Sequence, residues 1–485
     1  MNKINKDILF LIFNEIQNDS KFLFSCLMVN KLWCETAIPI LWRNPWNYDI
    51  NYHKKSSLYD IIVSYLPDDF TKYLEKSQEI KISHQQLSFD YLSYCNSVSS
   101  NAIYKILSAG TSLGYNKFIL QEEFYNILIG KCLKFKYLDM ETIKHQIFYF
   151  SLARSRLESL CELRCDSSIE SSYFYGLARI SSNIQRLIVI NKDMDVNHGI
   201  VKLIDYQNNL RYFEWKDNSN DVYIAEDPYE ELLHTLERKV NTLSHLIMSI
   251  RFDDDYQHLY LQEVLPKFTK LKTLVINNIL GYNDVNSELV YGDLEVFKTN
   301  YISLQKASSI IKNSGGHLKD ILLKYDYYDY YYENYFDDSL IFIKKVYENC
   351  PLVERLSILV SYSDQHLLEL ENLLKSSKNL KSLLVILGVE RTSYEQMLEK
   401  GDALLKILLK YAPTNLREIR FFDSYKFSLE NLEKFFGGWK RRPALTIITS
   451  DPIYRMEGYS RLVSKYKNLG VIKEFRCDSD NAIYF

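Results

Sequence analysis

Leu380-Lys381-Ser382-Leu383-Leu384-Val385 sets aliphatic residues at the first, fourth and sixth of six positions. The last two alternate with other residues, as the inward face of a short strand does. Just upstream, Leu367, Leu370 and Leu374 recur at helical spacing. The unit therefore reads as helix, short loop, short strand. The same six-residue pattern returns at Ile184/Leu187/Val189, Leu210/Phe213/Trp215, Leu243/Leu246/Met248, Leu271/Leu274/Ile276, Leu318/Ile321/Leu323, Val353/Leu356/Ile358 and Leu416/Ile419/Phe421. Looser copies stand at Phe135/Leu138/Met140, Leu157/Leu160 and Leu445/Ile447. From Phe135 to Leu445 ten steps span 310 residues, a mean period of 31.

Helical signals fill the gaps. Leu232, Leu233, Leu236 and Val240 follow an Asp227-Pro228 start. Val264, Leu265 and Phe268 precede one copy, and Ile343, Val346, Tyr347 and Cys350 precede another. Gly315-Gly316 stops a helix before Leu318. Helix–strand units at a near-constant period predict a solenoid. An ordinary α/β sheet domain, in which aliphatic strands also alternate with helices, is the rival architecture.

In a solenoid strand the aliphatics point inward and the residues between them line the concave face. Those residues include Arg186, His245, Thr273, Asn277, Asp320, Lys324 and Glu418, together with Tyr212, Glu214, Arg355, Arg420 and Phe422 as candidate target-binding residues. Mixed charge and aromatic content suits a protein-binding surface. Ile188, Ile247, Val275, Leu322, Leu384 and Ile386 share the face, so part of it is either covered or a hydrophobic recognition patch. The bland reading of any one of these positions is solvated strand surface. A Tyr/Asp-rich run from Lys324 to Asp338 reads as an insert, either a recognition loop or compositional drift.

Composition excludes several functions. With 59 basic and 62 acidic residues the net charge is −3, and no basic stripe points to nucleic acid. No apolar run is long enough for a membrane span, and the start does not read as a signal peptide. The eight cysteines form no Cys-x-x-Cys pair. Cys161 and Cys165 are spaced for one helical turn but have no histidine nearby, so buried thiols in a reducing compartment are expected rather than a metal site. An intracellular location, cytoplasmic or nuclear, is expected. No phosphate-cradle, nucleophile-elbow or zinc-protease motif occurs. Hence neither a catalytic residue nor a cofactor is expected.

Residues 1–46 form a separate unit holding three of the five tryptophans: Trp33, Trp42 and Trp46. Ile4, Ile8, Leu11, Ile12 and Ile16 keep helical spacing, with Leu9 and Phe13 widening the stripe and Asn5 as cap. Asn18-Asp19-Ser20 breaks the chain before a second helix marked by Phe22, Leu23, Cys26, Leu27, Asn30 and Trp33. Pro39 is expected to open a short third helix with Ile40, Leu41 and Trp42. Three such helices are apolar on more than one side, which suits a module that binds another chain.

Asp7-Ile8-Leu9, Ile12-Phe13, Val29-Asn30-Lys31-Leu32-Trp33 and Leu41-Trp42 resemble the F-box. Ile4-Asn5 replaces the family's Leu-Pro start, and Asn30 replaces a frequent Cys. The resemblance covers about 40 residues and implies a partner, the Skp adaptor of Skp–cullin–F-box ubiquitin ligases. It places the adaptor contacts at Ile4, Ile8, Leu9, Ile12, Phe13 and Trp33. The L-x-x-L-x-L units resemble irregular leucine-rich repeats, so together the two parts resemble the F-box/leucine-rich-repeat class. The expected fold is an α/β solenoid: a three-helix F-box at 1–46, a helical joint with first irregular repeats at 47–130, and a leucine-rich-repeat-like array with a curved parallel sheet at 131–485. A helix is expected over Ser56 to Tyr65, a first strand at Glu79 to Ile82, and a helix over Gln121 to Leu133. The expected function is that of a substrate receptor holding an unknown target protein. The alternative is an interaction scaffold whose N-terminal helices only cap the solenoid.

Overall fold

A computed structural model describes residues 5–46, 56–76, 86–108, 114–192, 197–218, 229–250, 259–277, 289–300, 302–324, 335–361, 363–387, 393–422 and 425–478. The chain divides into two compact units, Met1–Leu236 and Glu237–Phe485.

The first unit opens with three helices: α1 (Lys6–Glu15), α2 (Ser20–Cys26) and α3 (Lys31–Leu41). Each start is capped by a short polar side chain. Asn5 accepts from the Asp7 N–H, Asp19 from Phe22 N–H, and Asn30 from Trp33 N–H. The Asn30 cap corrects the expected helix boundaries. The second helix ends at Cys26, and the extended backbone of Asn30 starts the third at Lys31, so Pro39 lies inside α3 and does not open it. Leu9, Phe13, Leu23, Cys26, Ala37, Ile40 and Leu41 close a core among the three helices.

Five strands follow in the same unit: β1 (Ser97–Ser99), β2 (Tyr137–Asp139), β3 (Glu162–Asp166), β4 (Arg186–Asn191) and β5 (Tyr212–Asp217). They pair in parallel in chain order. Register partners Tyr137, Glu162, Arg186 and Tyr212 are 25, 24 and 26 residues apart. Cys161 and Cys165 thus lie at and within a strand, not on a helix. The expected helices at 56–65 and 121–133 are present as Ser56–Val63 and Gly114–Lys131. The strand expected at Glu79 to Ile82 lies outside the described residues.

The second unit carries β6 (His245–Ser249), β7 (Thr273–Asn277), β8 (Val296–Asn300), β9 (Asp320–Lys324), β10 (Arg355–Val360), β11 (Ser382–Leu387), β12 (Glu418–Phe422), β13 (Leu445–Thr449) and β14 (Ile472–Cys477). All nine pair in parallel with their chain neighbours. The helices between them pack each on the next, from Leu304–Lys312 through Glu457–Asn468. Gly315 and Gly316, both at positive φ, turn the chain from one helix into β9 as expected. Of the Tyr/Asp-rich run, residues 325–334 lie outside the described residues, and Tyr335 to Asp338 open the helix Tyr335–Asn349.

Each unit is thus an α/β solenoid. Its helix–strand repeats place the first, fourth and sixth positions of the six-residue pattern in the core: Leu380, Leu383 and Val385 are all fully buried. Four strands depart from the expected copies: the looser copy at Leu157/Leu160 lies ahead of β3, whose buried rungs are Leu163 and Cys165. In β8 the third aliphatic position is Thr299, buried with its hydroxyl on the Asn300 carbonyl. Strand β1 is Ser-Val-Ser, and β14 carries Lys473, Glu474 and Arg476. Counting β8 shortens the apparent period, since Thr273, Val296 and Asp320 are only 23 and 24 residues apart.

Candidate functional site

Surfaces of interest lie on the three-helix module and, in each unit separately, on the strands. On the module, the apolar residues divide by face. Leu9 and Phe13 turn inward and are buried, with Phe13 meeting the half-buried Trp33 edge-on at 5.3 Å. Ile8, Leu11 and Ile12 turn outward and are 52%, 65% and 47% exposed. Phe10, Phe22, Phe24, Val29 and Met28, the last 87% exposed, add to that outward set. Of the six expected adaptor contacts, Ile8 and Ile12 are therefore free, Leu9 and Phe13 belong to the core, Trp33 spans both, and Ile4 lies outside the described residues.

The other two tryptophans of the cluster join the module to the first repeat. Trp42 packs on Tyr91 at 4.6 Å. The Trp46 indole donates to the Ser97 carbonyl at 2.9 Å and stands edge-on to Phe124. Large side chains gather here because one short segment closes a core, faces solvent and seals a joint.

On the strands, residues between the core positions line the surface of each unit. In the first unit Arg186 forms an ion pair with Glu162 at 3.2 Å and lies over the Tyr212 ring at 3.8 Å. Tyr212 donates to Glu214, which also takes Lys216. Burial pushes the Glu214 carboxyl up, and the hydrogen bonds from Lys216 and Tyr212 outweigh it, leaving its pKa below the usual value. The Tyr212 phenol is raised by burial and by that carboxylate.

In the second unit Arg355 forks onto the buried Asp320, and Arg420 bonds Glu418 at 2.8 Å. Ser382 donates to the same Glu418 at 2.7 Å. Phe422 is half-buried at the end of β12. Lys298, which the sequence pattern missed with its strand, stands opposite Leu322. Burial, then the charges of Arg355 and Arg420, hold its pKa below the ordinary lysine value. Further along, Ser357, Leu359, Leu384 and Ile386 are buried. Of the aliphatics expected on this face, Ile188, Leu384 and Ile386 are thus covered, while Ile247, Val275 and Leu322 stay half-buried. Among the described residues no group of three His, Cys, Asp or Glu is placed to hold a metal ion, and no helix is long and apolar enough to cross a membrane.

No family model and no curated protein matches the sequence. Among solved structures, the chain is similar to one in the crystal structure of the Rad7 and Elc1 complex in yeast. The two are 15% identical over 81% of this chain and 98% of that one, with a TM-score of 0.41.

Proposed function

We propose that the chain is a substrate-receptor subunit of a Skp–cullin–F-box ubiquitin ligase. The observation that carries this reading is the outward side of α1, α2 and the turn that follows: Ile8, Leu11, Ile12, Phe22, Phe24 and Met28 are exposed although the module already has a closed core. An apolar surplus on a module whose residues resemble an F-box suits docking of the Skp adaptor. Burying four to six such side chains, at about 1.5–3 kcal/mol each, is enough to offset the cost of association. The paired charges and aromatics at Tyr212 and Glu214, and at Arg355, Arg420 and Phe422, are offered to a target protein. Transfer of ubiquitin then follows from proximity to the charged conjugating enzyme, and this chain supplies no catalytic group.

The second reading, a scaffold whose helices cap the repeats, is favoured by the Trp42 and Trp46 joint. It leaves the face of α1 and α2 uncovered. A pull-down of purified Skp adaptor by the full chain separates the two. The receptor reading expects capture by the parent and loss of capture with Ile8→Asp/Ile12→Asp, at unchanged circular dichroism. No capture by the parent favours the scaffold. Phe13 is unsuited to the test, because a charge there would break the module's core.

A further inference from the structure

Parallel pairing stacks one residue per repeat just ahead of each strand. In the second unit this row runs Lys272, Glu295, Lys319, Glu354, Lys381, each N–H bonded to the carbonyl of the one before at 2.7–2.8 Å. Its charges alternate from Lys272 to Lys381, beyond which Arg417 follows with its N–H on the Lys381 carbonyl at 2.9 Å, and along the alternating part acid and base neutralise one another. Glu295 takes Lys319 at 2.7 Å and Lys272 at 3.8 Å, and Glu354 takes Lys381 at 2.6 Å.

The first unit has the same row with a different content. The Asn96 N–H bonds the Arg43 carbonyl at 3.0 Å, and the Lys136 N–H bonds the Asn96 carbonyl at 2.7 Å. Adjacent backbones in such a ladder lie about 4.8 Å apart, so Arg43, Asn96 and Lys136 stand side by side with two cations and no acid. They line one wall of a cleft of about 510 Å³, completed by Gln17, Asn18 and Asn44 over Ile40. None of its lining residues is acidic.

The donors here are unused. Arg43 is oriented by one bond, Nη1 to Asn14 at 2.6 Å, and lies over the Phe10 ring. That leaves Nε and Nη2, of a five-donor fork, facing no protein acceptor among the described residues. The side chains of Gln17, Asn18, Asn96 and Lys136 likewise have no hydrogen-bond partner there.

The geometry points to a binding site for a small multivalent oxyanion, of the phosphate or carboxylate class, in this cleft. Arg43 supplies planar donors and Lys136 a point charge. The amides complete the shell. The bound anion touches the α1–α2 turn, the end of α3 and the first two repeats, so it clamps the module onto the array. A site of this volume is within the usual range for small ligands.

Calorimetric titration of the full chain with tripolyphosphate, and separately with citrate, at physiological ionic strength tests the assignment. The expected result is saturable one-to-one binding of at least one of them, the two arms telling phosphate from carboxylate. Affinity should fall about tenfold or more with Arg43→Gln and with Lys136→Gln, as loss of a charge-assisted bond implies. Lys272→Gln, in the neutralised row, should leave it unchanged. Lys136 is exposed, so its variant keeps the fold and the test stands even if Arg43→Gln does not fold. No saturable binding of either anion, or binding undiminished by Lys136→Gln, overturns the site. Neither result bears on capture of the adaptor, which is assayed without added anion.

Discussion

The N-terminal module and the repeats dispose of apolar residues in opposite ways. In the repeats, the positions of the six-residue pattern are buried rung by rung, and several of the polar residues between them are paired: Asp320 with Arg355, Glu418 with Arg420 and Ser382. In the module, a seven-residue core is complete while Ile8, Leu11, Ile12, Phe22, Phe24, Met28 and Val29 remain outside it. Both regions are apolar in sequence, but among the described residues only the module leaves a contiguous stretch of chain with apolar side chains facing water. A solenoid consumes its apolar residues by stacking on itself. A three-helix unit is too small to do so, and its surplus is what a partner can cover.

Truncating the two cores tests this contrast first. Phe13→Ala should destabilise the module by about 3–5 kcal/mol and Leu383→Ala the second unit by about 2–5 kcal/mol, read by urea unfolding. Ile8→Asp should change the free chain by no more than about 0.5 kcal/mol. A cost for Ile8→Asp like that of Phe13→Ala would mean that the face is covered and the contrast is lost.

Acid comes next. Among the described residues each unit holds one buried histidine whose pKa burial lowers to about 4. His145 is wedged against Phe118 and Tyr125, and its Nε2 has no hydrogen-bond partner. His366 is held by Ser339, Ser361 and Ser363. Both stay neutral when folded, while the unfolded chain takes up protons below about pH 6.5. Their stabilising contribution is therefore complete above pH 6.5 and declines as the pH falls from there towards 4, by up to about 1.4 kcal/mol per pH unit for each ring. Urea titrations at pH 7 and pH 5 check this. A His366→Asn variant that unfolds with unchanged pH dependence would contradict the part assigned to that ring.

Charge removal on the strands ranks lower. Arg355→Met leaves the buried Asp320 carboxylate without its guanidinium and should cost about 1–3 kcal/mol. Lys381→Met, in a half-exposed pair just ahead of the strands, should cost at most about 1 kcal/mol. Equal costs would show that burial of Asp320 is not what separates the two pairs.

How legible this was follows from the same residues. Leu380, Leu383 and Val385 announced a strand because hydrophobic period and length coincide there. Strand β8 was silent because a threonine can be buried when its hydroxyl finds a carbonyl, and pattern reading counts only aliphatics. On α1, the sequence showed that Ile8, Leu9, Ile12 and Phe13 belong to an apolar helix but not which side faces the core. Spacing fixes relative faces, and a helix apolar on most sides gives no polar side to orient it. Spacing alone carries the second helix through Asn30 to Trp33, although Asn more often caps a helix than lies on its face. Arg43, Asn96 and Lys136 could not be grouped at all. They are far apart in the chain, and only parallel pairing makes them neighbours.

The account rests on the outward face of α1 and α2 being a docking surface for the Skp adaptor. Hydrogen–deuterium exchange on the full chain, with and without purified adaptor, tests that most directly. The predicted result is protection of amides within residues 6–33, with exchange in strands β6–β14 unchanged. Absence of protection there, or protection confined to the strands, would contradict it.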